Sequence, residues 1–286
     1  MVLTAAIWGS SWMAASILAR DQVPAVVGAL GRFFFGSLGL LALVAARGEW
    51  PRPDGRMWLR LAAMGFFGIF LYNISFFTGL RTVPSGRASL MASLQPSVVF
   101  LFSALVWGER VTLLKLLGLG LSLVGAGLVL TQGDPMRLFA TGLGPGDGWI
   151  LMTVVSWVVY TLIGRGVSAR MPTLPATAYG IWLGTAMLLV YGLVERPALE
   201  RVGSPSFWVV SAYLGLAGTT LAFLFYLQGI AKLGPARASI FINLVPVFSI
   251  LSSAVYLGER VTLATIAGGA LALTGVGLLN KPAQTR

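Results

Sequence analysis

The sequence predicts an all-α membrane protein whose ten transmembrane helices form two inverted five-helix repeats. Three observations carry this prediction. Apolar runs of spanning length recur along nearly the whole chain, 57% of its 286 residues are hydrophobic against 10% charged, and its two halves match each other. An ordinary soluble domain carries roughly a quarter charged residues, so the expected solvent is a lipid bilayer. With no Cys and no His, disulfide scaffolds, thiol catalysis, haem ligation through His and the usual zinc sites drop out. No cofactor and no metal is expected. The balance of 20 basic to 9 acidic residues, net +11, would suit nucleic acid only if the cations clustered. They are scattered singly between apolar blocks, which suits anionic lipid headgroups instead.

The spans are expected at 2–19, 24–46, 58–80, 84–106, 111–131, 149–168, 174–194, 207–229, 235–256 and 261–280, each near the roughly 20 residues that cross a hydrocarbon core. The first begins at the N-terminus and ends in Ala14, Ala15 and Ala19 like a cleavable signal, but it lacks a basic start and its Trp pattern recurs in the sixth, so it reads as a span. Pro24 and Arg47 bracket the second, Arg56 and Arg81 the third, and Pro84 with the Gly108–Arg110 turn the fourth; the fifth runs on to Thr131. Residues 132–148 carry Asp134, Pro135, Pro145 and several Gly, and read as an irregular linker. In the second half Arg170, Pro172, Arg196, Pro205, Pro235, Gly258 and Lys281 punctuate the remaining spans. With the N-terminus inside, twelve Lys and Arg fall on the cytoplasmic side and seven opposite, leaving Arg32 within a span. Both termini of this multi-pass protein are therefore expected in the cytoplasm.

Shifting the chain by 150 residues lays Arg87–Leu113 on Arg237–Leu263, and 20 of 45 positions are identical over 84–128. Trp8 and Trp157 match at a shift of 149. The expected units are a first repeat at 1–131, a linker at 132–148 and a second repeat at 149–286. Five spans per unit is an odd number, so the second copy lies upside down relative to the first. Secondary transporters use such inverted repeats, with the substrate site near the midplane between the halves.

The segments AIWGSSW (Ala6 to Trp12), LGRFFFG (Leu30 to Gly36), SWVVYT (Ser156 to Thr161) and the duplicated RAS…P…GERVTL blocks resemble the drug/metabolite transporter superfamily in its EamA-type, ten-helix branch. Within it the chain is most similar to bacterial aromatic amino-acid exporters of the YddG type. The resemblance implies export of a small molecule. It also implies a comparison: small multidrug transporters of that superfamily look to a Glu in their first helix, and the first span here has no carboxylate.

All nine acidic residues fall in expected loops or at helix ends. Ion-coupled carriers commonly use an intramembrane ionisable group, so carrier-type transport without such a group is expected. An enzyme is not expected, because no general base or nucleophile pair can be assembled. Polar residues inside spans must find partners. Ser89, Ser93 and Ser97 share one helical face, and Ser239 and Asn243 occupy the equivalent face of the ninth span. Helix-to-helix bonding and cavity lining both fit the serines. Asn243, whose amide needs several partners, is the better substrate candidate.

The second candidate set is aromatic. It comprises Trp12, Tyr72 and Phe76, Trp157 and Tyr160, and Phe223 and Tyr226. Aromatic walls with a few polar groups describe a pocket for an amphipathic small molecule. Trp50, Trp58, Trp149 and Trp208 sit at span ends and suit the interfacial belt. Arg32, about nine residues into its span, either ties helices or meets a substrate carboxylate. Pro96 and Pro246 stand at equivalent positions as candidate hinges. Export of small amphipathic metabolites, aromatic or apolar amino acids first among them, is the expected function. A drug or lipid-like translocator of the same fold and a channel are the competing classes. The first would take a larger apolar body, and the second would not saturate.

Overall fold

The computed structural model describes residues 1–48, 50–95, 97–99, 102, 112–131, 133–134, 144–226 and 241–279. Ten helices follow one another among them: α1 (Val2–Arg20), α2 (Ala25–Arg47), α3 (Gly55–Gly79), α4 (Ser85–Ala92), α5 (Leu113–Thr131), α6 (Pro145–Ser168), α7 (Thr173–Glu195), α8 (Pro205–Tyr226), α9 (Val245–Leu257) and α10 (Leu263–Leu279). No strand occurs among the described residues. Helices α1, α2, α3, α6, α7 and α8 are long and apolar enough to cross a membrane, while α5, α9 and α10 are shorter apolar helices. The described part of α4 is eight residues followed by a turn at Ser93–Leu94, with helix resuming at Gln95. The expected fourth span therefore bends where the sequence offers continuous apolar periodicity.

Local chemistry sets the ends. The Asp54 carboxylate accepts from Met57 N–H at 2.7 Å to open α3, and at the matching place Ser204 Oγ accepts from Phe207 N–H at 3.2 Å to open α8. Gly48 and Gly258 close α2 and α9 in the left-handed region, at φ 65° and 63°, where a residue without Cβ pays no steric penalty. Arg196 closes α7 at φ 48°.

The packing shows the inverted repeat directly, because the neighbour pairs survive exchange of the two halves. Helix α1 packs on α9 as α6 packs on α4. Helix α2 packs on α8 as α7 packs on α3, and α3 on α6 as α8 on α1. Helix α2 meets α7, and α5 meets α10, each its own counterpart. At the α5–α10 crossing the relation holds residue by residue. A Cβ on Gly125 would strike the backbone of Gly268 and Ala272, and one on Gly275 would strike that of Gly118 and Ser122. Each pair lies 150 residues from its mate.

Helices α3 and α8 share a further feature. Each carries a π-helical stretch, Gly65–Leu71 and Tyr213–Leu221, a geometry that concentrates at functional sites. Gly65 lies against Gly180 and Gly184 of α7, as Gly215 lies against the Arg32 carbonyl and Gly36 of α2. Outward-facing side chains are apolar and bare, with Val194, Val255 and Leu263 at 76, 77 and 81% exposure. Such a surface belongs in lipid. The buried interior is largely apolar but also holds Ser75, Ser97, Ser122, Ser156 and Ser249 at 0% exposure.

Candidate functional site

Two aromatic groups form inside the bundle. In the first, the Trp12 ring of α1 meets Phe76 of α3 edge-on at 4.7 Å, Tyr72 stacks with Phe76 at 6.0 Å, Trp157 of α6 lies 5.7 Å from Tyr72, and Tyr160 lies 5.1 Å from Trp157. Helical spacing places Tyr72 and Phe76 one turn apart, and Gly68 lets Tyr160 lie flat against the α3 backbone. Five of the expected residues thus make one wall across α1, α3 and α6. The second group joins Phe223 and Tyr226 of α8 to Trp8 of α1, at 5.6 and 5.4 Å, and Trp8 Nε1 donates to the Gly218 carbonyl at 2.9 Å. The repeat relates the two groups in part: Trp157 is the counterpart of Trp8 and Phe76 that of Tyr226, but Trp157 packs on Tyr72 whereas Trp8 packs on Phe223 and Tyr226. Among the described residues no ring pair joins one group to the other.

The polar candidates fare differently. Ser89 is buried and donates to the Gly86 carbonyl at 2.9 Å, and Ser93 donates to the Leu90 carbonyl at 2.6 Å. Both satisfy their own helix. Ser97, beyond the turn at Ser93–Leu94, donates to Ser122 Oγ of α5 at 2.7 Å. Pro246 lies in the first turn of α9, behind a tight 3-10 turn at Phe241–Leu244. There its missing N–H falls on a position that has no intrahelical acceptor, so it marks a junction and does not break a running helix. Pro96, Glu109, Arg237 and Ser239 lie outside the described residues, as does the Asn243 side chain.

Arg32, expected as a possible charge contact, and two polar groups that periodicity did not single out, Asn73 and Thr219, lie beside the first wall. Arg32 of α2 donates through Nε to Thr219 Oγ1 of α8 at 3.2 Å and through Nη1 to Asn73 Oδ1 of α3 at 3.4 Å. Asn73, 1% exposed, donates in turn to the Ile69 carbonyl at 2.8 Å. Asn73 adjoins Tyr72, so its place within an apolar run was the available signal. On the α1–α8 side, Ser10 Oγ and the Tyr213 hydroxyl share a 2.6 Å bond.

At one end of the bundle, charged groups tie the halves together. Glu259, beyond α9, accepts from Arg20 Nη2 at 3.0 Å and from the Ser85 and Gly86 amides at 3.3 Å each. A carboxylate at a helix start is favoured by the exposed N–H groups and the dipole. Ser85 Oγ and Ser253 Oγ lie 2.5 Å apart, and Ser249 donates to the Ser85 carbonyl at 3.2 Å. Arg87 pairs with Asp147 of α6 at 2.9 Å. This cluster clamps the start of α4 between α1, α6 and α9. Glu259→Gln keeps the shape and removes the charge. It is expected to raise, by about tenfold, the labelling of a cysteine at buried Ser89 by an impermeant thiol reagent applied from the Glu259 side. The chain has no cysteine of its own, so this reporter has no background. Unchanged labelling would show that the carboxylate does not hold this end shut.

Comparison with known proteins is extensive. The model of the EamA-like transporter family matches residues 1–131 and 144–281. A probable terminal-alkyne amino-acid exporter of Streptantibioticus cattleyicolor is 27% identical, covering 98% of this chain and 92% of that one. An inner membrane transporter of Salmonella typhimurium, YicL, is 25% identical over 100% of this chain and 95% of its own. A protein of known crystal structure superposes with a TM-score of 0.68 at 24% identity, covering 97% of this chain and 94% of that chain, which shows the fold.

Proposed function

The chain belongs to the EamA-like transporter family, and from that premise we propose that this multi-pass membrane transporter exports small amphipathic metabolites, above all amino acids with aromatic or apolar side chains. The observation that carries the reading is the continuous wall of Trp12, Phe76, Tyr72, Trp157 and Tyr160 across three helices. Trp12 and Phe76 are buried in the core at 7% and 2% exposure, while Tyr72, Trp157 and Tyr160 keep exposed surface; those three rings would take a flat apolar body by stacking and area burial, and the polar set of Arg32, Asn73 and Thr219 stands next to them. A relative at 27% identity is named as a probable amino-acid exporter, which supports the same class of cargo.

The mechanism proposed is alternating access, with 1–131 and 149–286 as the units that rock about the site and the residues between them as linker. The paired π-helical stretches of α3 and α8, the Pro246 junction and, by the repeat, Pro96 are the places where the backbone absorbs the change. The Lys/Arg distribution supports cytoplasmic termini, and the inner membrane relative supports the bacterial inner membrane. No coupling ion is assigned. The seven described carboxylates all lie at helix ends or between helices.

Proteoliposomes test both parts. Saturable uptake of labelled phenylalanine, tyrosine or tryptophan is expected, with a final inside-to-outside ratio near one whether or not a proton or Na⁺ gradient is imposed. Accumulation driven by either ion refutes uncoupled transport. Flux that does not saturate favours a channel, and refusal of every amino acid in favour of bulky lipophiles favours a drug translocator.

A further inference from the structure

We infer that Arg32 anchors the carboxylate of the transported molecule while the neighbouring aromatic wall takes its apolar body. This deepens the reading above, on which it rests.

The internal repeat breaks at Arg32. Helices α2 and α7 both follow a proline cap and both run 23 residues, so Pro24 corresponds to Pro172, Gly36 to Gly184 and Arg32 to Gly180. The crossings agree. Gly36 faces Thr219 and the Gly215 carbonyl, as Gly184 faces Ile69 and the Gly65 carbonyl. The three polar partners Arg32, Thr219 and Asn73 therefore correspond to Gly180, Ile69 and Phe223. One half builds this crossing from apolar and small residues alone, so the architecture does not demand a charge. A pseudo-symmetric frame that binds an asymmetric molecule has to differ between its halves at the site, and here it differs by a cation and two hydrogen-bonding groups.

Arg32 is the eighth residue of a 23-residue spanning helix, a depth at which a guanidinium is expensive without an anion. Its two bonds go to a neutral hydroxyl and a neutral amide, and one face of its carbon lies over the Phe33 ring at 5.3 Å. The two ion pairs found among the described residues, Arg20–Glu259 and Arg87–Asp147, both lie at the end of the bundle. A guanidinium has five N–H donors in a planar fork that matches a carboxylate. Thr219 and Asn73 hold the Nε and Nη1 edges and so orient the fork.

Arg32 lies within the bundle and is only partly buried as a residue. Asn73, its partner, adjoins Tyr72 in the chain, and Tyr72 stacks into the aromatic wall. A molecule with a carboxylate at one end and a flat apolar body at the other spans these two features. An amine, an amide or a neutral lipophile of the same shape meets only one of them.

Calorimetry on the purified full chain in detergent tests this with phenylalanine, 3-phenylpropionate and phenylalaninamide, and with leucine, 4-methylpentanoate and leucinamide. The acids should bind about tenfold or more tighter than the matching amides. Arg32→Gln should abolish that preference by weakening the acids and leaving the amides unchanged, and Arg32→Lys should restore part of it. Because a variant may misfold, the acid-to-amide comparison on the unaltered protein stands by itself. Equal binding of acids and amides, retention of the preference in a folded Arg32→Gln protein, or refusal of all carboxylate probes overturns the assignment. Tight binding of the aliphatic acids with refusal of the aromatic ones upholds Arg32 and defeats the aromatic reading instead.

Discussion

Replacing Trp157 by Ala is expected to raise the apparent KM for tryptophan or phenylalanine by about tenfold to a hundredfold, while changing that for alanine little. The indole contacts Tyr72 at 5.7 Å and Tyr160 at 5.1 Å, so it joins the α3 and α6 portions of the wall. Truncation removes apolar contact worth about 1–3 kcal/mol to a bulky ligand, and a small ligand never gained that contact. The control lies at the membrane interface. Trp50 and Trp58 are 48% and 41% exposed; Trp50 stacks on Trp182 and Trp58 lies tilted against Tyr179. Alanine at either is expected to leave the bulky-to-small ratio as it was. Uptake kinetics on proteoliposomes with matched protein content give the ratio. If the interfacial substitutions shift selectivity as much as Trp157→Ala, the wall does not select the cargo.

The second large effect concerns the fold. Gly275→Val should destabilise the protein by about 2–3 kcal/mol, because the new side chain meets the Gly118 carbonyl and Ser122 backbone of α5, and main chain cannot swing aside as a side-chain tip does. By the pseudo-two-fold, Gly125→Val should cost a similar amount against Gly268 and Ala272. Two residues along α10, Gly277 has nothing within 4 Å of a built Cβ. Gly277→Ala should therefore be neutral or mildly stabilising, since it only removes glycine's helix penalty. Thermal melting of the three variants in detergent separates them. Equal melting temperatures for Gly275→Val and Gly277→Ala would contradict the close crossing of α5 and α10.

Much of this protein was determined by sequence alone. Span number, the duplication and the upside-down relation follow from apolar run length, from a 150-residue self-match and from the parity of five. Each is a property of the chain read in one dimension. The aromatic wall was largely legible too, since Tyr72 with Phe76 and Trp157 with Tyr160 share faces by helical spacing, and depth within a span separated them from interfacial Trp50 and Trp58. Tertiary structure decided which faces meet. It sent Trp12 to Phe76 but Trp8, one turn away, to Phe223 and Tyr226. It gave Ser89 and Ser93 carbonyls of their own helix and Ser97 a partner on α5. It also brought Arg32, Asn73 and Thr219 together from three helices. Periodicity assigns a residue to a side of its own helix, whereas a hydrogen bond between residues 187 positions apart depends on where two helices cross. That crossing is set by the glycines and π-helical turns of α3 and α8, whose effect appears only when the backbones are in contact.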